Sequence, residues 1–470
     1  MPAAYCLLPF AVSNRPPSHF VRDHLIKGAG VKQNAPVAWD LEDAAAFVER
    51  NPSAGYVVED FNVVADPIND PFPLVGFVNV GPNEQAPFAP FKSTLTMIES
   101  TPIATGVSNF QTVSYKSRDR DKGTAEMKVG GFIETAAFGS ELLKDNGDGT
   151  AQVDMSSSGS WSVELSAAAS SMAPEEFFSL TTARVADYLG FHANYFAPEG
   201  GGEVFNADVL LADGGDMENV SLIPFLLRGV KKIVLFCDFE VPMASFDHYN
   251  PWTRLPTPQD IEDIPHYFGI PQVPQNVEDW FDFFGQDFSR NKVFKTIYYP
   301  HVVRELQKAQ ATGNGAIATL KLTTVDNDWW GVKGGQEVEV TFVYLSKSTE
   351  FENLLPDEVK DVVATGTDDP TDLIQDGPFK YFPHYNTGAA GELWRGAKDG
   401  WRKAMTVRNC CTIVLDLALI TCFSPYPSSK PLSPFVLLIA EISYKQANLL
   451  SNFCAWIIEK NLDIFKNALG

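Results

Sequence analysis

The chain has 470 residues, enough to bury a large core as one α/β domain or as two smaller ones. It carries 36 Lys and Arg against 59 Asp and Glu, and this formal net charge of −23 disfavours binding to nucleic acid or to anionic membrane surfaces. The 6 cysteines form no C-x-x-C pair and the 7 histidines form no close pair. We therefore expect no disulfide framework, no metal site and no cofactor.

Residues 1–105 are rich in proline and are predicted to be mostly irregular, with a helix over Asp40–Arg50 and a strand over Leu74–Val80. The first residues lack the basic segment of a signal peptide. The best apolar stretch, Cys410–Phe423, is too short for a membrane span and is interrupted by Asp416. We expect a cytoplasmic protein that contacts membranes only peripherally and transiently.

The segment Ala207–Phe239 has the pattern of a strand, a sharp turn, a helix and a second strand. Ala207–Leu211 is an apolar run that ends at Asp213 and two glycines. Leu222–Leu227 predicts a short helix, and Ile233–Phe236 predicts a buried strand. Open α/β sheets place their chemistry at such strand ends. A loop aspartate that caps the following helix would give the same pattern.

The Asp213 turn and the helix–strand unit after it resemble the catalytic-aspartate segment of patatin-like and cytosolic phospholipase A2-type lipid acyl hydrolases. Six other segments resemble segments of this family and follow one another in the family's order. They are Gly130–Glu134, Ala137–Ser140, Leu165–Ala169, Val325–Gly335, Phe382–Tyr385 and Gln446–Ser451. The resemblance implies an α/β fold with a mainly parallel central sheet, helices on both faces and a C-terminal antiparallel hairpin. Strands at Ala207–Leu211 and Ile233–Phe236 should then be parallel neighbours.

The resemblance also implies a division of the chain. Residues 106–387 form the lipid acyl hydrolase-like domain, and residues 442–470 form the C-terminal helix of the same domain. Residues 388–441 have no counterpart in the family, and they are either an insertion or a mis-translated segment.

Members of this family use a Ser/Asp dyad, in which the Asp accepts the proton of the attacking Ser hydroxyl. The resemblance makes Asp213 that catalytic base. Gly214, Gly215, Asp216 and Asn219 would support its turn, and Glu218 with Asn219 would cap the following helix.

The nucleophile remains unassigned, because the family's G-x-S-x-G elbow occurs nowhere in the sequence. Ser108 and Ser160 are the nearest candidates, although neither has the flanking pattern of an elbow.

Two functions remain open. The first is a phospholipase or lysophospholipase-type hydrolase of phospholipid or another acyl-ester lipid, with only the Asp half of its dyad evident in a truncated or inactive chain. The alternative is a non-catalytic α/β protein that binds a lipid or a protein partner. Because the nucleophile is missing, we expect little esterase activity.

Overall fold

The computed structural model describes residues 32, 34–64, 72–86, 88, 94–117, 119, 121–148, 150–155, 160–170, 191–198, 206–239, 241–274, 290–365, 382–384 and 444–469. The strands in these ranges are β1 (Val37–Ala38), β2 (Asn62–Val63), β3 (Val75–Pro82), β4 (Thr96–Ser100), β5 (Ala104–Lys116), β6 (Thr124–Glu134), β7 (Glu141–Asp145), β8 (Ala151–Asp154), β9 (Phe191–Phe196), β10 (Asn206–Asp213), β11 (Lys232–Cys237), β12 (Ala316–Thr323) and β13 (Glu337–Tyr344). The helices are α1 (Leu41–Arg50), α2 (Val163–Ser170), α3 (Leu222–Leu227), α4 (Tyr299–Ala311), α5 (Thr349–Leu354), α6 (Asp357–Thr365), α7 (Tyr444–Lys460) and α8 (Leu462–Leu469).

Local sequence signals account for where the predicted elements begin and end. The side chain of Asp40 accepts a hydrogen bond from Asp43 N–H at 2.8 Å and so caps α1. In α3, Pro224 stands in the first turn, where its missing N–H leaves no helical bond unmade. Gly229 follows this helix with a φ of 67°, a left-handed conformation that favours glycine. The predicted helices α1 and α3 and the predicted strand β3 are therefore confirmed.

The largest sheet contains six strands in the order β6-β5-β4-β3-β10-β9. Every neighbouring pair in it is antiparallel. β10 lies between β3 and β9, and its last residue, Asp213, faces Phe77 of β3. Pairing of β10 with β9 stops at Leu211, so Asp213 at the end of the strand is paired on the β3 side alone.

This six-stranded sheet curls until its two edge strands meet. Gly130 N–H of β6 donates a hydrogen bond to the Tyr195 hydroxyl of β9 at 3.0 Å. The rings of Phe77, Phe138 and Trp161 pack together beside Tyr195. Helix α2 packs across β3 and β10. Curling therefore encloses an aromatic core that includes residues of β3 and β9, the two neighbours of β10.

A second sheet has the strand order β11-β13-β12. β11 and β13 are parallel, with Ile233 facing Val340. β12 and β13 are antiparallel, so the predicted C-terminal hairpin is confirmed. Helix α8 covers this sheet, and the rings of Phe465 and Phe236 stack at 6.1 Å.

The prediction of a mainly parallel central sheet is wrong. β10 belongs to the antiparallel six-stranded sheet and β11 to the three-stranded sheet, so the two strands are not neighbours. An apolar run reports that a strand is buried but does not identify its partner. The turn and α3 therefore carry the chain from one sheet to the other instead of forming a crossover within one sheet.

Within the described ranges, no helix combines the length and the apolar character that a membrane crossing requires. The predicted insertion at 388–441, including Cys410–Phe423, lies outside the described residues. Helices α7 and α8 confirm helical structure in the predicted C-terminal segment.

Candidate functional site

Asp213 is the last residue of β10 and caps a short 3-10 turn, Gly214–Asp216. Its Oδ1 accepts a hydrogen bond from Gly215 N–H at 2.9 Å. Among the described residues, no other hydrogen bond to the Asp213 carboxylate is found. The side chain is half-buried, and burial raises its pKa to about 6, while the bond from Gly215 N–H lowers it. One carboxylate oxygen is thus held by the backbone, and the group titrates close to neutral pH.

The two glycines of the turn are packed against the ends of neighbouring side chains. Neither residue has a positive φ, so the backbone conformation of the turn does not itself call for glycine. A Cβ on Gly215 would lie 2.6 Å from Asn219 Oδ1. A Cβ on Gly214 would lie 3.3 Å from Met97 Cε and 3.5 Å from the carbonyl oxygen of Gly76. Gly215 therefore stands where the turn is most tightly packed.

Glu218 caps α3, as predicted. Its Oε1 accepts hydrogen bonds from Leu222 N–H at 3.1 Å and Val220 N–H at 3.3 Å, and from the Tyr267 hydroxyl at 2.5 Å. Its Oε2 is buried, and no hydrogen-bond partner for it is found among the described residues. Burial raises the pKa of Glu218 to about 7, against the lowering effect of these three donors.

Asn219 does not cap α3 as predicted, and the side chain of Asp216 is not among those described. The Asn219 side chain donates to Asp263 Oδ2 instead of capping α3. Asp263 itself has a φ of 48°, which residues other than glycine rarely adopt. The backbone of Asp216 closes the 3-10 turn, but its side chain lies outside the described part of the structure.

An ion pair between a buried Glu99 and a partly exposed Arg228 joins the end of α3 to the six-stranded sheet. Arg228 Nη2 lies 2.5 Å from Glu99 Oε2 of β4, and Arg228 Nη1 donates to the Pro224 carbonyl oxygen at 3.0 Å. Burial raises the pKa of Glu99, and the neighbouring Arg228 lowers it. Because Glu99 lies on β4 beside β3, this pair anchors the far end of α3 to the sheet that carries Asp213.

Neither candidate nucleophile is hydrogen-bonded to Asp213. Ser108 is exposed on β5, which is separated from β10 by β4 and β3, a span on the order of 14 Å. Ser160 is buried just before α2, the helix that packs across β10.

Sequence reasoning missed Asp263 and Tyr267, the partners of the Asp213 turn. They lie at the 3-10 turn Ile264–Phe268. Asp263 is 44 positions after Asn219, and Tyr267 is 49 positions after Glu218. No local pattern ties residues at that separation to each other. Among the described residues, no three His, Cys, Asp or Glu side chains are grouped so that they could hold a metal ion.

Compared with known proteins, the chain matches no family model, no curated protein and no solved structure. The resemblance to lipid acyl hydrolases therefore gains no support beyond the residues that suggested it.

Proposed function

We propose that this chain supplies the general base for the hydrolysis of a lipid acyl ester, such as a phospholipid, and that Asp213 is this base. One observation carries the proposal: a strand-end carboxylate, held through one oxygen by Gly215 N–H, has its pKa raised to about 6 by burial. A general base works best when its pKa is close to the working pH.

The chemistry follows from the carboxylate. Asp213 accepts the proton of an attacking hydroxyl group as that oxygen forms a bond to the ester carbonyl carbon. The carboxyl then returns the proton to the alkoxide that leaves as the carbon–oxygen bond breaks. If the hydroxyl belongs to a serine, water repeats both steps on the acyl-enzyme. This role needs an ionised carboxylate at the start of each cycle.

The protein's charge bears on how a lipid would reach the site. A formal net charge of −23 repels anionic surfaces, so we propose that the acyl chain enters by apolar contact and that membrane contact is transient. We propose a cytoplasmic location for the protein.

The test is turnover of p-nitrophenyl butyrate and of monoacyl phosphatidylcholine by the full chain and by Asp213→Asn. We expect slow turnover that Asp213→Asn lowers by about 10²-fold or more, because a positioned general base contributes about 10²–10⁴-fold. The matched control is Asp208→Asn on the same strand. The Asp208 carboxylate pairs with His192 at 2.8 Å and with Asn83 at 3.0 Å, so its loss should leave turnover unchanged.

Turnover that survives Asp213→Asn would place the activity elsewhere. No turnover by the full chain, together with binding of the monoacyl lipid, would favour the non-catalytic alternative.

A further inference from the structure

The turn that carries Asp213 is fastened to a distant part of the chain mainly through one buried carboxyl group. Glu218 is 6% exposed, and its Oε1 gathers the Tyr267 hydroxyl and two N–H groups at the start of α3. Asn219 adds a second link, through its amide to Asp263, and the Asn291 amide adds a third by donating to the Met217 carbonyl oxygen. The 214–222 turn is therefore held against the Ile264–Phe268 turn by adjacent side chains.

The two oxygens of Glu218 are not equally supported. Oε1 has three donors, whereas Oε2 is buried and has no hydrogen-bond partner among the described residues. An ionised carboxyl would leave half of its charge unsolvated on Oε2. A protonated Oε2 would leave only an unmade hydrogen bond, which costs much less than an unsolvated charge. The geometry thus fits a neutral carboxylic acid.

The surroundings of Glu218 favour the same state. The titratable groups that face it are Tyr267 and Asp263 beside the Ile264–Phe268 turn, and Cys237 at the end of β11. All three are acids, so none can compensate a negative charge. His266 is adjacent to Asp263, with its Nδ1 3.8 Å from Asp263 Oδ1.

We propose that Glu218 is a positioning residue for Asp213, and that its protonated carboxyl holds the 214–222 turn closed while ionisation loosens that turn. Glu218 touches no reacting atom in this scheme. It acts through the backbone of the turn, whose first hydrogen bonds run from Met217 N–H and Glu218 N–H to the Gly214 carbonyl oxygen at 2.9 and 2.8 Å.

The direction of the pH dependence follows from linkage. The closed turn raises the pKa of Glu218 from 4.5 to about 7, so the closed state binds the proton more tightly than the open state. The turn is therefore most firmly closed below pH 4.5, and it loosens as the pH rises toward about 7. The full change in the opening equilibrium is about 300-fold, of which about 30-fold falls between roughly pH 5.5 and pH 8.

The test is amide hydrogen exchange, measured by mass spectrometry on the full chain for a peptide that covers residues 214–222. After correction for intrinsic exchange rates, we expect protection in the natural chain to fall about 30-fold from roughly pH 5.5 to pH 8. Glu218→Gln, a neutral isostere, should show a flat profile. Glu164→Gln is the matched control, because Glu164 is another buried glutamate with an unpartnered oxygen, and it should behave like the natural chain.

A second variant covers the case in which Glu218→Gln fails to fold. Tyr267→Phe removes a donor that lowers the pKa of Glu218, so the midpoint of the loss of protection should move to higher pH. A flat profile in the natural chain, an unchanged profile in Glu218→Gln or an unmoved midpoint in Tyr267→Phe would overturn the proposal. This inference rests on the proposed function only in assigning the turn a role in catalysis. Hydrogen exchange measures the opening of the turn in the absence of substrate, so it can fail independently of the esterase test.

Discussion

Replacing Arg228 by Met should destabilise the protein by about 2–3 kcal/mol. Removing one partner of a fully buried ion pair costs about 3–5 kcal/mol, because the other charge is left without compensation. Here the remaining side chain, Glu99, is 1% exposed, whereas Arg228 is 37% exposed. Water already reaches part of the pair, so we reduce the figure to about 2–3 kcal/mol.

The two single substitutions should be unequal. Glu99→Gln leaves the positive charge on Arg228, which can turn toward solvent, so we expect a loss of only about 1 kcal/mol. The double variant Glu99→Gln, Arg228→Met should cost less than Arg228→Met alone, because it removes the stranded charge. The cost of Arg228→Met should also be smaller at roughly pH 5.5 than at pH 8, since burial already raises the pKa of Glu99 and the acid is more often neutral at low pH.

The assay is urea unfolding followed by tryptophan fluorescence at these two pH values. Equal losses from the two single variants would refute the reasoning. A double variant whose loss equals the sum of the two single losses would also refute it, because the cycle would then show no coupling.

Two further substitutions probe the turn and the curled sheet. Gly215→Ala should cost about 1–2 kcal/mol and break the link from Asn219 to Asp263, because the new methyl group would lie 2.6 Å from Asn219 Oδ1. Gly214→Ala, whose methyl group would meet the flexible Met97 side chain at 3.3 Å, is the control and should cost less in urea unfolding; the reverse order would contradict the packing described. Tyr195→Phe should cost about 1–3 kcal/mol, because it leaves the buried Gly130 N–H without its 3.0 Å partner. Tyr298→Phe, which removes a longer 3.2 Å bond in a half-buried place, should cost under about 0.5 kcal/mol, and equal losses would show that the bond between the edge strands contributes little.

Individual elements around Asp213 could be predicted from the sequence because their signals are local. Apolar runs marked β10 and β11, and Pro224 and Gly229 marked the two ends of α3. The cap that Glu218 provides for α3 was predictable on the same basis, since the residues lie within one turn of each other.

The arrangement of the strands could not be predicted in this way. Whether β10 pairs with β11 or with β3 is decided by packing between segments that lie far apart in the sequence. Phe77, the residue that faces Asp213, is more than a hundred positions earlier in the chain. The partners of the Asp213 turn escaped prediction for the same reason, because Asp263 and Tyr267 follow it at a long separation and carry no motif of their own.

The most direct test of Asp213 as a general base is the pH dependence of kcat/KM for p-nitrophenyl butyrate, taken as the difference between the natural chain and Asp213→Asn. A base must be ionised to accept a proton, and burial raises the pKa of this carboxyl to about 6. The Asp213-dependent rate should therefore rise with pH and reach half of its maximum near pH 6. A difference that is zero at every pH, or one that falls as the pH rises through 6, would contradict the assignment.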